Sequence, residues 1–509
     1  MVGERRRRVK GNIVLILAII LALGIRFFLI LLRKYPTSDE IWAYLLSKAD
    51  FKSIWFGTLA DFHGPFYFLF LRLISVVIPF ELNVFFIRVI SVVFGIGASF
   101  AIWLLATKVL DKKLGLAVFY LSLFLPGSIW ASIYGRYYSF LILLTTVSAI
   151  LFLDYIRTGR FKNLILLSII LTLGTYTHYY FFFIDIVFFL FLLSVGKYRH
   201  LFKNWVLATA LVVFLCLPAF LSFFTLPKPE LAGRGYNDIL KFPSVVTVNL
   251  TSFETLLDLY FQGKPIFYIP VIIALSLSTV IVLFRALFVW KDKIKFVFFY
   301  LFLVPPTILI IVSYTLNKPV LALGSLVIFL PSTLILVVKG LYFTLRGPRV
   351  ISLIFLVSLF LSLIFFFQSS YSYSIPRKDI QFIADNLKAG DIIVNSHFGS
   401  YLLATYYLGS KALIYGVRDE KTSTYPTQKA LGYNVITAES LPSLKKRIWY
   451  LEPFYVTGDE ASVIKQTLDN NFRLVKKEIF VPDKTYKENL TFFNVYLYVP
   501  VNQYVWKKF

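Results

Sequence analysis

Stretches of about 20 consecutive apolar residues recur along most of this chain, and they limit its fold more than any other feature. A helix of that length rises ~30 Å, the thickness of a bilayer's hydrocarbon core. The first run is Ile13 to Leu32 and the last ends near Gln368. Hydrophobic residues make up 58% of the 509, against roughly 45–50% in soluble domains. Charged residues are 16%, against about 25%. Repeated soluble cores do not account for such a pattern, whereas an α-helical polytopic membrane protein does. The single cysteine, Cys216, lies inside an apolar run. It excludes an intrachain disulfide and a cysteine-clustered metal site.

The net charge of +25 would point to nucleic acid in a soluble chain. Here the basic residues fall mostly in short loops between apolar runs, so topology explains them and no nucleic-acid partner is expected. Arg5, Arg6, Arg7 and Arg8 precede the first run and place the N-terminus in the cytoplasm. That run is longer than a signal peptide's and has no small-residue cleavage site, so it reads as a retained first helix. Further basic loops hold Lys108, Lys112 and Lys113; Arg157, Arg160 and Lys162; Lys197, Arg199 and Lys203; Lys291, Lys293 and Lys295; and Lys339, Arg346 and Arg349.

If these loops are all inside, only one crossing fits between Arg33 and Lys112, and Val84 to Thr107 supplies it. The apolar segment Gly64 to Phe80 should then lie along the interface. About 11 spanning helices of roughly 20 residues follow. They are expected near 12–33, 84–107, 115–133, 137–156, 162–179, 181–195, 203–224, 265–290, 295–314, 319–338 and 349–368, with the C-terminus outside. Segments 34–83 and 225–264 are long outer connections.

After Gln368 the pattern changes. DIIVNS, KALIYGV, KRIWYL, RLVKKEIFVP and NVYLYVP read as strands, and IQFIADNLKAG and ASVIKQTLDNNF as helices. The expected organisation is a transmembrane domain over 1–370, including the outer interfacial segment 34–83, and an extracytoplasmic α/β domain over 371–509.

This topology gathers particular polar residues on the outer side: Asp39, Glu40, Asp61 and His63; Arg88; Arg136, Tyr137 and Tyr138; His178 and Tyr179; and Arg234, Lys241 and Lys318. A carboxylate of the Asp39–Glu40 pair suits a general base, or equally a helix N-terminus. His63, before Gly64 and Pro65, suits metal or phosphate, or an interfacial cap. Arg88 and Arg136 suit bidentate phosphate contacts, or snorkelling. His178 and Tyr179 suit sugar or phosphate, or an aromatic belt.

The motifs DE, DFHGPFYFLFLRL, FIRVISVVFG, SIYGRYYSFLILL and TYTHYYFF occur in the order found in membrane glycosyltransferases with the C-type fold. The chain most resembles the superfamily of protein O-mannosyltransferases and aminoarabinose–lipid A transferases. The resemblance covers residues 13–195. Beyond them, 200–370 agree only in hydropathy, and the C-terminal domain resembles the tails of many members. Gly64 stands where that family usually has proline.

The resemblance implies a polyprenyl- or dolichyl-phosphate monosaccharide as donor. Transfer would take place on the outer face of the cell membrane, with inversion, to a protein, lipid or glycan acceptor. It maps the family's acidic motif onto Asp39, the proton acceptor, with Glu40 beside it. Arg88, Arg136 and His178 become candidates for the donor phosphate, with His63, Tyr137 and Tyr179 as further binding residues. Metal use is uneven in the family, so a divalent ion is left open. A lipid carrier also accounts for the missing nucleotide-binding fingerprint. The rivals are a transporter or lipid flippase, for which Asp185 is the one intramembrane carboxylate without another explanation, and a lipid-linked glycan ligase.

Overall fold

A computed structural model describes residues 2–59, 63–225, 247, 250–251, 268–315, 323–346, 349–372, 377–396, 398–418, 432–453, 459–480 and 493–500. The chain divides into two compact units, one of residues 1–32, 85–221 and 231–370, the other of 33–84, 222–230 and 371–509.

The first unit is helical. Its elements are α1 (Val2–Leu32), then, after three helices of the other unit, α5 (Val84–Val109), α6 (Lys112–Phe124), α7 (Pro126–Ile133), α8 (Tyr138–Thr158), α9 (Phe161–Thr177), α10 (Phe182–Ser194), α11 (Phe202–Thr225), α12 (Tyr268–Val289), α13 (Lys295–Thr315), α14 (Leu330–Thr344) and α15 (Arg349–Ser372). Eight of the described helices are long and apolar enough to cross a membrane, or nine if the bent pair α6–α7 is one span. The protein is therefore a multi-pass membrane protein. The runs expected near 162–179 and 181–195 are helices too, but shorter, at 17 residues for α9 and 13 for α10.

Local chemistry sets several ends. Asp111 caps α6, accepting from Lys113 N and Leu114 N at 2.9 Å each. Gly159, at φ 65°, closes α8 with its N–H on Tyr155 O at 2.7 Å. Lys108 pairs with Asp154 at 2.7 Å, and Arg157 donates to Lys108 O at 2.9 Å. The basic loops after α5 and α8 thus share one end of the unit, as the positive-inside reading requires of them.

The span expected at 115–133 is broken. Leu125 is extended, at φ −66° and ψ 137°, and α6 and α7 meet at 53°. Pro126 causes this, because the residue before a proline is pushed out of the helical region and proline has no N–H to continue the ladder. Elsewhere small residues let helices approach closely. A Cβ on Gly340 of α14 would lie 2.1 Å from Val282 O of α12.

The second unit begins with α2 (Ser38–Lys48), α3 (Phe51–Leu59) and α4 (Phe66–Val77). At 12 residues, α4 rises only ~18 Å, less than the thickness of a bilayer's hydrocarbon core. After α15 follow α16 (Lys378–Asn386), β1 (Ile392–Asn395), α17 (Phe398–Leu408), β2 (Leu413–Arg418), β3 (Val435–Thr437), β4 (Ile448–Pro453), α18 (Asp459–Asn471), β5 (Phe472–Ile479) and β6 (Phe493–Pro500).

The strands form one sheet in the order β3-β2-β1-β4-β6-β5. The first four are parallel, with Ile393 opposite both Ile414 and Trp449, and β6 joins antiparallel between β4 and β5. Ile392, Val394, Ile448, Tyr450, Leu468, Phe472, Tyr496 and Tyr498 fill one core beneath it. The strands and helices expected after Gln368 are all present, while β3 and α17 were not expected. In this unit α17 packs on α2: Phe398 lies edge-on to Trp42 at 5.1 Å, and Tyr406 to Tyr44 at 5.3 Å. A helix of the C-terminal segment therefore rests directly on the helix that carries Asp39 and Glu40.

Candidate functional site

One stripe of α5 organises the first unit's polar cluster. Arg88, Ser91, Gly95 and Ser99 recur at three- and four-residue intervals, so they share a helix face. Ser91 Oγ donates to Arg136 O at 3.2 Å, and Ser139 Oγ donates to Ser91 O at 2.8 Å. A Cβ on Gly95 would stand 2.1 Å from Ser132 Oγ, so glycine admits α7 against α5. Ser99 Oγ donates to Gly95 O at 3.1 Å and Ser122 O at 3.3 Å. The stripe thereby seats the broken pair and the turn that follows it.

That turn carries Arg136. Its N–H closes onto Tyr134 O at 2.6 Å, and α8 begins two residues later. Arg136 and Tyr137 are almost fully buried, with the guanidinium carbon 5.1 Å from the centre of the Tyr137 ring. Trp130, Tyr134 and Tyr138 pack beside them, with Trp130–Tyr138 ring centres 4.7 Å apart. A charged group in such surroundings is costly unless it meets an opposite charge or hydrogen bonds.

His178 ends α9 and enters the same cluster, its ring 5.4 Å from Tyr137 and 4.6 Å from Tyr180. Its Nδ1 accepts from Tyr180 N at 3.1 Å, while Nε2 lies 3.0 Å from Ser325 Oγ, in the turn before α14. With Nδ1 used as an acceptor, Nε2 carries the hydrogen and donates to Ser325. The fold at His178 depends on Gly174, where a Cβ would lie 2.1 Å from the Phe181 ring. Tyr179 is half-buried in the following 3₁₀ turn, and Arg88 is 4% exposed at the start of α5.

The remaining sites lie in the second unit. Thr37, not Ser38 or Asp39, caps α2. Glu40 closes the box, its Oε2 accepting from Thr37 N at 3.0 Å and Thr37 Oγ1 accepting from Glu40 N at 3.3 Å. Glu40 is fully buried in that role, and Asp39 beside it is exposed. His63 is half-buried and edge-on to Phe68 at 6.4 Å, just before Pro65 leads into α4. Toward the far end of α2, Lys48 and Tyr44 both bond Glu81, Tyr44 at 2.8 Å. These bonds hold the Glu81 carboxyl below its ordinary range.

Asp61, Arg234, Lys241 and Lys318 lie outside the described residues. Among the described residues no three His, Cys, Asp or Glu side chains gather as a metal site. Asp185 is buried in α10 and accepts from Thr209 Oγ1 of α11 at 3.0 Å, tying two helices together.

Sequence reading missed Ser91, Ser139 and Ser325. The first two are recoverable from the three-residue steps Arg88–Ser91 and Arg136–Ser139. Ser325 is not, because it meets His178 only through the tertiary fold.

No protein-family model matches this sequence, and no curated protein sequence matches it. Among solved structures it is similar to ArnT from Cupriavidus metallidurans in the apo state, with 11% identity over 94% of this chain and 97% of that one, at a TM-score of 0.53. It is likewise similar to that protein bound to undecaprenyl phosphate, with 12% identity, 95% and 97% coverage and a TM-score of 0.54. The chain thus has the membrane fold of C-type glycosyltransferases, the aminoarabinose–lipid A transferase among them.

Proposed function

We propose that the protein is a glycosyltransferase that moves a monosaccharide from a polyprenyl- or dolichyl-phosphate carrier to an acceptor hydroxyl with inversion. The observation that carries this reading is the buried Arg136, fixed by Ser91 and laid against Tyr137, in a fold shared with a protein solved with undecaprenyl phosphate.

In the reaction, the acceptor oxygen attacks the anomeric carbon and the bond from that carbon to the carrier phosphate breaks. The acceptor's proton passes to the Asp39 carboxylate, and the electron pair leaves with the polyprenyl phosphate. Asp39 is the better base of the acidic pair, because the Glu40 carboxylate is taken up by the cap at Thr37. Arg136 and Arg88 oppose the charge on the departing phosphate, as preorganised cations do in a low-dielectric site. His178 and Tyr179 hold the ring-lined wall beside them, and His63 belongs to the acceptor-side segment.

The orientation that goes with this reading has the N-terminus in the cytoplasm, with the site and residues 371–509 outside the cell membrane. The experiment is sugar transfer together with donor affinity in Asp39→Asn and Arg136→Ala. The first should lower kcat by about 10²–10⁴-fold and keep donor binding, and the second should weaken donor binding. The reverse pattern would overturn the assignment of roles.

A further inference from the structure

Arg26 lies in α1 with none of its side chain exposed. Its Nη1 donates to two carbonyls: Ala22 O one turn back at 3.1 Å, and Leu123 O of α6 at 2.9 Å. Nε and Nη2 make no hydrogen bond among the described residues. A guanidinium buried this completely is held by its contact with the C-terminal end of α6, where the helix leaves carbonyls unmet and carries partial negative charge.

That end is the break before Pro126. Proline has no N–H for Ser122 O, four residues back, and Ser99 Oγ and Ser128 Oγ donate to that carbonyl instead. The next carbonyl, Leu123 O, goes to Arg26. Both carbonyls at the break are thereby met by side chains, one from α5 and α7, the other from α1. Beyond the break α7 runs for eight residues, all buried. Its C-terminal N–H, that of Tyr134, bonds Trp130 O at 3.1 Å. Arg136 follows two residues later. No loop lies between the break and the turn that could absorb a change in the angle of α7.

We propose that Arg26 is a positioning residue for the donor site. By holding the C-terminal end of α6 it sets the direction in which α7 leaves, and through α7 the place of Arg136. This rests on the reading of Arg136 as a ligand of the donor phosphate. Its removal acts on donor binding without touching the donor, since Leu123 and Ala22 occupy the one nitrogen of Arg26 that bonds.

The test uses the full chain in lipid bilayers, with undecaprenyl phosphate as the binding probe and a polyprenyl-phosphate sugar as donor. Arg26→Leu is expected to raise the donor KM and the undecaprenyl phosphate Kd by about tenfold or more, the scale of a misplaced binding group, with a smaller change in kcat. Arg26→Lys, which keeps a donor within reach of Leu123 O, should restore values to within about twofold, and Arg26→Gln should fall between. Introduced into Arg136→Ala, Arg26→Leu should add no further loss, because the group it positions is gone. Should Arg26→Leu fail to insert, Arg26→Gln carries the same double-mutant comparison with the smaller effect. Unchanged donor KM and Kd in a folded Arg26→Leu protein, or losses that multiply with Arg136→Ala, overturn the proposal. If Arg136→Ala alone leaves donor affinity unchanged, the reading of Arg136 fails, and this proposal fails with it.

Discussion

His178 and Ser325 stand 147 positions apart in sequence, yet Nε2 of one lies 3.0 Å from Oγ of the other in a buried contact. With Nδ1 already bonded to Tyr180 N, the imidazole is fixed at both nitrogens, and its ring lies tilted against Tyr137, 5.4 Å between centres. Ser325→Ala should leave the buried Nε2–H without that acceptor and cost about 1–3 kcal/mol of stability. Thermal unfolding of the purified protein in lipid checks this, and Ser325→Thr, which keeps the hydroxyl, should retain most of the stability. An unchanged Tm in Ser325→Ala would show that the contact does not hold the ring.

Gly95 and Gly97 make a matched pair. A Cβ at Gly95 would meet Ser132 Oγ at 2.1 Å and Cβ at 2.7 Å, whereas at Gly97 the nearest neighbour is Leu143 Cδ2 at 4.0 Å. Gly95→Ala should therefore displace α7 and destabilise the protein by about 1–3 kcal/mol, and Gly97→Ala should be neutral. The same unfolding measurement compares the two. Equal effects would contradict the close seating of α7 on α5.

The sheet should be sensitive to alkali. Burial raises the phenol pKa values of Tyr450, Tyr496 and Tyr498, helped at Tyr496 by Glu452 and at Tyr498 by Asp469. A raised folded-state pKa means the native phenols keep protons that the unfolded chain has lost. Their stabilisation is full below about pH 10 and falls as pH rises beyond it. Protection of the β4 and β6 amides in the intact protein, corrected for the intrinsic base catalysis of exchange, should fall above about pH 10, and Tyr450→Phe should reduce that fall.

Cysteine labelling tests orientation. Asp39 is exposed, as are Lys112 and Arg160, whereas Arg136 and His178 are buried, so the first three positions are the informative ones. In a Cys216→Ser background, a cysteine at 39 should react with an impermeant reagent added outside intact cells, and cysteines at 112 and 160 should not. Labelling at 112 from outside would invert the proposed topology.

The helical membrane fold was legible because burial in lipid leaves the plainest mark a sequence can carry, long runs such as Ile13 to Leu32. The break at Pro126 was missed although its cause is local: the apolar run continues through it, and hydropathy does not register a missing N–H. Strands with β-branched and aromatic residues, such as NVYLYVP, were recognisable. The three-residue β3 was not, since so short a strand is defined by pairing with β2. Helix α17 carries FGSYLLATYYL, whose apolar and aromatic residues suit strand as well as helix. Asp39, Arg136 and His178 stood out as polar residues at expected helix ends. What remained hidden was the different placement of two neighbours. Only the geometry separates Glu40, taken up by the Thr37 cap, from exposed Asp39.

The central claim is that Asp39 takes the acceptor's proton while Arg136 binds the donor phosphate. The most direct measurement is transfer from a polyprenyl-phosphate sugar, with donor affinity measured in parallel, for Asp39→Asn and Arg136→Ala in bilayers. Asp39→Asn should lower kcat by about 10²–10⁴-fold with donor affinity unchanged. Arg136→Ala should weaken donor binding through a lost charge-assisted contact. Full transfer activity in a correctly inserted Asp39→Asn protein would contradict the account.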